Sequence, residues 1–482
     1  MNPVRVARIP LVVAIVGLIL APASAAPAAP AELSMRVSTD GITYDQYRQR
    51  QAEMVTRLLA DLPARALDVP TRVELTQADV RSIEQAPRLQ GTPLAVGLVK
   101  GLAPRLDVNG LVKARRGFGG PSKDGGYDWA IALTSSGAGA IRAHIEGMEL
   151  PAGATLSIYS RLGEAFGPYR FNGPNGDGEF WTDTVFGTEA ILQVHLAAPA
   201  TTDDMEQVAF TISEVGIVLP RFAGEFTPQP AAPLAFPCGN PACLVDATCG
   251  TTAAPALPAK NAAAKMEWTQ GPYIYTCTGT LINDTNPAQD NFFLTAAHCI
   301  GNNKSAGNLQ FYWRFATASC GGDCPDNAGW PFKTSGSTVA ATGKKSDYTL
   351  LHLNTAPPSG SVFLGWNSTP VANTNGAQLY RISNPDFGPQ VYSQHNVDTA
   401  FGACGGWPRG NWVYSRDIVG AIDSGSSGSA ILNGSSQIVG QLSGTCGGNL
   451  SSACDSGPGE ANATVDGAFA AYFASIKPII NP

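Results

Sequence analysis

An all-β chain built in two unlike parts is what the sequence predicts, and three observations carry it. Charged residues make up only 14% of the 482 while glycine (53) and proline (36) are plentiful, a mixture suited to short strands and frequent turns rather than helical bundles. Short apolar and β-branched runs recur between Gly, Pro and Asn turns along most of the chain, which is the signature of strands. All ten cysteines fall between Cys238 and Cys454, and the first half has none. That break, in a chain longer than one ordinary domain, marks two separately built units.

Taken in order, residues 1–25 hold Arg5 and Arg8, then the apolar stretch Ile9 to Leu20, then Pro22-Ala23-Ser24-Ala25. This is the pattern of a secretory signal peptide, and its apolar run falls short of the ~20 residues that span a bilayer. The expectation is an exported protein without a membrane anchor, in which an even number of cysteines reads as disulfides. Tyr47, Met54, Leu58 and Leu62 recur near helical spacing and predict a helix from Tyr44 to Leu62. The runs at 128–133, 155–159, 190–194 and 208–212 are strand candidates, and their regular spacing predicts a β-sandwich. From 220 to 241 the chain becomes a proline-dense linker with Pro228, Pro230 and Pro233, extended and open to proteolysis. Beyond it come more strands, for example 437–443, and then Phe469, Tyr472, Phe473 and Ile476 predict a closing helix within 466–476. The net charge of −7 with no basic block excludes nucleic acid as a partner.

Chemistry concentrates in three segments of the second half. Thr295-Ala296-Ala297-His298-Cys299 places a histidine beside a cysteine at the end of an apolar run, and Cys277 upstream offers that cysteine a partner. A bridge there would hold the histidine rigidly, as a general base requires. Ser346-Asp347-Tyr348 brings an aspartate to the mouth of an apolar strand, where its carboxylate could be buried against an imidazole. Gly425-Ser426-Ser427-Gly428-Ser429 is a small-residue loop in which Ser427 can act as a nucleophile and the amides of Gly425 and Ser427 can converge on a substrate oxygen. A base, a group orienting the base, a nucleophile and oxyanion donors are the parts that peptide hydrolysis needs. His352, alternating with Leu351 and Leu353, reads as a packing residue, and His395 as a loop residue.

Together the three segments resemble the trypsin/chymotrypsin superfamily, whose triad runs His, Asp, Ser in chain order. Within it Cys243-Leu244-Val245-Asp246-Ala247-Thr248-Cys249, Cys277-Thr278-Gly279, Gly336-Ser337-Thr338-Val339, Ser346-Asp347-Tyr348 and Gly440-Gln441-Leu442 look like segments of bacterial lysyl endopeptidases. The resemblance spans most of 243–476. It implies two orthogonal six-stranded β-barrels with a C-terminal helix over 237–482, preceded by a removable pro-region (helix, then β-sandwich) over 26–236. It makes Ser427 the nucleophile, His298 the acid/base, Asp347 the orienting carboxylate, and Ser443, Gly444 and Thr445 the strand that pairs with substrate. It also implies bridges Cys277 to Cys299, Cys249 to Cys320, and Cys243 to Cys446 or Cys454, leaving Cys238, Cys324 and Cys404 unassigned.

Two departures stand out. Where trypsin-like zymogens keep an aspartate before the nucleophile stands Ser426, so activation by a new N-terminus is not expected, and the first half is expected to assist folding and to block the cleft until it is cut away. Where trypsin keeps its pocket aspartate stands Ala421, and where lysyl endopeptidases keep their acid stands Thr464, with Asp423 and Asp466 nearby. That favours a neutral, small or apolar residue before the cut over a basic one. The reading is a secreted, monomeric serine endopeptidase acting on proteins or peptides, with its own pro-region as partner and with no metal and no cofactor. The Cys320-Gly-Gly-Asp-Cys324 spacing is set aside as a metal site because thiolates are scarce in an oxidising compartment. The competing reading is an inactive binding or adhesive protein on the same fold.

Overall fold

The computed structural model describes residues 1, 31–63, 67, 69–86, 91–222, 241–322, 324–325 and 331–482. Ala31–Pro482 form one compact unit. The predicted signal peptide beyond Met1, most of the proline-rich linker and Cys238 lie outside the described residues.

The helix Tyr44–Ala60 starts at Thr43, which closes a reciprocal capping box with Gln46, satisfying two otherwise unpaired backbone donors. Its buried Val55 and Leu58 pack with Ala130, Tyr159 and Ile191. One sandwich sheet holds Phe118–Pro121, Thr71–Arg72, Tyr127–Thr134, Glu189–Leu196, Ala154–Tyr159 and Ala165–Tyr169. Facing it, Ala209–Val218 pairs with Ala140–Glu149 on one edge and with Leu94–Asp107 on the other. Ile131 and Val194 from the first sheet meet Ile145 and Ile217 from the second in one core, each such buried side chain contributing about 1.5–3 kcal/mol.

In the second half two barrels form. Ala263–Gln270, Tyr273–Leu281, Phe292–Ala296, Gln310–Trp313 and Tyr348–Leu353 pair around the first, and the chain from Phe332 to Gly343 turns at Gly336 from the Gln310–Trp313 edge to the Tyr348–Leu353 edge. Gly336 has φ +79, a corner that glycine takes without a Cβ clash. The second barrel is a ring of Gln378–Ser383, Val391–Val397, Trp412–Val419, Asn462–Ala468, Ile438–Gly447 and Ala430–Leu432. The closing helix is Phe469–Ile480, so it starts three residues later than predicted. Residues 466–468 continue the last strand, because neighbours on both edges take up their backbone groups.

The halves share one sheet. Leu94–Asp107 pairs with Ala209–Val218 on one edge and with Tyr273–Leu281 of the first barrel on the other. Further along, Glu32–Leu33 and Arg36–Val37 pair with Trp366–Asn367 and Val362–Phe363. The seam between sandwich and first barrel is polar and dry: Lys333 Nζ lies 2.7 Å from Glu164 Oε1 and Arg142 Nη1 lies 3.7 Å from Glu267 Oε1. Burial pushes the Glu164 carboxyl up and the Lys333 ammonium down, each opposed by its partner's charge. Removing one member of such a pair strands the other. Lys333→Met is expected to destabilise the full chain by about 3–5 kcal/mol in urea unfolding; a loss below ~1 kcal/mol would mean that the pair contributes no more than a surface contact.

Candidate functional site

His298 and Asp347 arrive together because their strands are neighbours. Phe292–Ala296 and Tyr348–Leu353 pair antiparallel with Ala296 opposite Tyr348, so the end of one strand meets the start of the other. The Cys277–Cys299 disulfide ties the histidine loop to Tyr273–Leu281. Asp347 then holds His298 twice: Oδ2 lies 2.7 Å from the ring Nδ1 and Oδ1 accepts the His298 backbone N–H at 2.9 Å. Since a carboxylate only accepts, Nδ1 carries the proton and Nε2 keeps its lone pair. Nε2 is buried and has no hydrogen-bond partner among the described residues.

Asp347 sits at φ +51, a left-handed conformation that costs a non-glycine residue of order 1–3 kcal/mol. Its surroundings enforce that conformation. The Ala297 amide donates to its carbonyl at 3.1 Å. Gln441 Nε2 donates to the carbonyls of Ser346 and Asp347 at 2.8 and 3.0 Å. Tyr472, from the closing helix, donates its hydroxyl to Gln441 Oε1 at 2.5 Å and stacks on Tyr348 at 4.2 Å. Gln441 and Tyr472 are therefore positioning residues; the sequence showed one only as part of a family segment and the other only as a helix-face residue.

The Ser427 loop is tied to the same barrel. Thr278 donates its amide to the Ser427 carbonyl and its hydroxyl to the Gly425 carbonyl, both at 2.9 Å. The Ser424 carbonyl accepts the Asp386 amide at 2.7 Å, and a trans peptide whose C=O is held on one side presents its N–H, that of Gly425, on the other. Gly425 has φ +93, and a Cβ there would stand 3.0 Å from the Asp386 nitrogen. Ser426 points inward, its hydroxyl 3.0 Å from that of Ser383, so no carboxylate occupies that position.

His298, Ser427, Ser443, Gly444 and Thr445 line one cavity of about 610 Å³. Gly91 and Leu94 of the first half line it too. Ala421 and Thr464 lie behind the wall, 2% and 0% exposed. Asp466 is paired through Oδ1 with Arg381 Nη2 at 2.5 Å, both side chains fully buried, and its Oδ2 has no hydrogen-bond partner among the described residues. Asp423 does line the cavity. A further acid, which the sequence reading missed, lies behind Thr464: Asp417 Oδ1 accepts the Thr464 hydroxyl at 2.7 Å and faces His395 Nδ1 at 2.8 Å, and Oδ2 is buried without a hydrogen-bond partner among the described residues. His395 is a strand residue, not a loop residue. It is wholly buried, and its Nε2 lies 2.8 Å from the Ser393 hydroxyl. Only the pairing of His395 with Asp417 across two strands reveals this group. His352 packs edge-on against Phe292.

Bridges join Cys243 to Cys454, Cys249 to Cys320, Cys277 to Cys299 and Cys404 to Cys446. Cys446 is thus not the partner of Cys243. It lies in the second barrel's strand Ile438–Gly447 beside Tyr414 and Trp407, where the Cys404 loop covers it. Cys277, His298 and Cys299 cluster within reach of one ion, but both sulfurs are spent in the disulfide. Among the described residues no helix is long and apolar enough to cross a membrane.

The sequence pattern of "Lysyl endopeptidase, C-terminal domain" matches residues 240–461. A lysyl endopeptidase of Pseudomonas aeruginosa is 30% identical over 389 residues, 76% of this chain and 77% of that protein. Among solved structures, a protease of M. tuberculosis in its active form is 17% identical over 53% of this chain and 94% of that one, with a TM-score of 0.31. An inactivated protease paralogue of the scabies mite is 14% identical over 47% of this chain and 96% of that one, also with a TM-score of 0.31.

If the Gly425 amide faces a developing oxyanion, then Gly425→Ala, which must move the loop away from Asp386, is expected to slow labelling of Ser427 by a fluorophosphonate about 10²–10³-fold. Labelling at the unaltered rate would remove Gly425 from that role.

Proposed function

The chain belongs to the lysyl endopeptidase family, and from that premise we propose that Ser427, His298 and Asp347 cleave peptide bonds in protein substrates through an acyl-enzyme. The observation that carries the reading is the double hold of Asp347 on His298 in a cavity that Ser427 shares. His298 Nε2 takes the proton of the Ser427 hydroxyl as its oxygen attacks the scissile carbonyl. The Gly425 and Ser427 amides stabilise the oxyanion. The imidazolium, steadied by Asp347, hands its proton to the leaving nitrogen, and water then repeats the sequence on the ester. Ser427→Ala and His298→Ala should each abolish fluorophosphonate labelling and peptide hydrolysis. Asp347→Asn should lower kcat about 10⁴-fold by offering Nδ1 the wrong tautomer. Persistent labelling in His298→Ala would exclude His298 as the base.

We assign the choice of residue before the cut to Asp417. It is a fixed buried carboxylate with one unpartnered oxygen, next to Thr464, whose strand neighbour Thr445 lines the cavity. A basic side chain, lysine above all, completes such a group, in keeping with the relative's name and against the neutral preference that Ala421 and Thr464 suggested. Digestion of a denatured proteome followed by mass spectrometry should give cuts after Lys. Asp417→Asn should cost lysyl substrates about 2–5 kcal/mol in kcat/KM; cuts after small apolar residues, or an indifferent variant, would return the assignment to the neutral reading.

The same reading makes residues 26–236 a pro-region that occupies the cleft until it is removed. The protein is then a secreted monomer, with the leader pattern, the linker and the disulfides as its support.

A further inference from the structure

We propose that Gly91–Leu94 crosses the cleft in the direction of a substrate and that Pro93 makes it a strand the enzyme holds without cutting. The proposal rests on Ser427 being the nucleophile.

Downstream of the crossing, the chain is fixed in register. Leu94 is opposite Thr276, Ala95 opposite Tyr275, Gly97 opposite Ile274 and Leu98 opposite Tyr273. Thr276 precedes Cys277, which is bridged to the neighbour of His298, and Thr278, whose amide binds the Ser427 carbonyl. Leu94 is therefore anchored on the wall beside the catalytic pair. Upstream of the crossing, Gly91 lies against the opposite wall: a Cβ on Gly444 would be 3.7 Å from the Gly91 nitrogen. The Trp407 ring covers both glycines, 3.6 Å from a Cβ on Gly444 and 3.8 Å from one on Gly91.

Gly91 to Leu94 is three residue steps, about 10 Å when extended, and only Thr92 and Pro93 stand between the walls. All four residues line the cavity that holds His298 and Ser427. The chain thus runs from the strand that pairs with the amino-terminal side of a substrate to the wall beyond the nucleophile. Its central bond is Thr92–Pro93.

That bond is ill-suited to hydrolysis. Its nitrogen carries the ring Cδ in place of hydrogen, so the leaving amine presents ring carbon where His298 must deliver a proton. Proline also holds the residue before it extended, which fits Thr92 to a cleft that binds extended chain. Past the crossing, Ala95, Val96 and Leu98 bury against Ile274, Tyr312 and Phe387, which keeps the strand from sliding.

The test places a cleavable bond at the crossing of the full chain. Thr92 is replaced by whichever residue the proteome digest shows before the cut, once with Pro93 retained and once with Pro93→Ala, each also in a Ser427→Ala background. The expected result is a cut between 92 and 93 only with Pro93→Ala and intact Ser427, at a rate independent of chain concentration. An enzyme that cleaves free peptides yet leaves this bond whole, or cuts it only at concentration-dependent rates, overturns the proposal alone. If the enzyme freed of residues 26–236 is inert towards free peptides, the reading beneath the proposal is overturned.

Discussion

The grip of Asp347 on His298 is the constraint around which the second half is arranged. One carboxylate sets both the ring and the backbone of the histidine, and it can do so only from a left-handed backbone conformation that an isolated aspartate would leave. Keeping it there draws in the first barrel through Ala297, the second through Gln441 and the closing helix through Tyr472. The strain is local, and its support is spread over three elements far apart in sequence. Thr278 plays the matching part for the Ser427 loop, fixing the carbonyls on either side of Ser426.

The contact between the halves has two characters. At the strand edge it is backbone pairing, which is indifferent to side chains and aligns Leu94 with Thr276. Below that edge it is side-chain packing, in which the buried charges of Glu164, Lys333, Arg142 and Glu267 lie alongside an apolar cluster of Ala95, Val96, Leu98, Ile274, Tyr312 and Phe387. Charges in such a place are costly to bury and gain their value from partners across the boundary.

Much of this was legible in the chain. The Tyr44–Ala60 helix, the sandwich strands and the Ser427 loop show themselves through local signals: apolar residues at helical spacing, short runs between turns, and paired glycines. His298 and Asp347 were readable because each sits at a strand end marked by an apolar run. The last helix was placed too early, since Asp466 at its apparent start satisfies helical spacing while strands on both sides claim it. The resemblance leaves Cys243 a choice of Cys446 or Cys454, and only the fold settles it on Cys454, because the Cys404 loop covers Cys446. The acid behind Thr464 was missed for a similar reason: Asp417 gains meaning only from His395 and Thr464, which lie on two other strands.

The sequence by itself determined the class of fold and pointed to the three segments that carry His298, Asp347 and Ser427, because these depend on local pattern and on residue types that chemistry makes scarce. The tertiary structure decided which partner each buried acid meets, how Asp347 is held in a strained conformation, and that Gly91–Leu94 lines the cavity of His298 and Ser427. Each of those depends on contacts between segments distant in the chain, and a buried charge has no role until its neighbours are known. Asp417 and Asp466 each keep one buried oxygen without a hydrogen-bond partner among the described residues, and what separates them is that Arg381 neutralises Asp466 while His395 and Thr464 face Asp417.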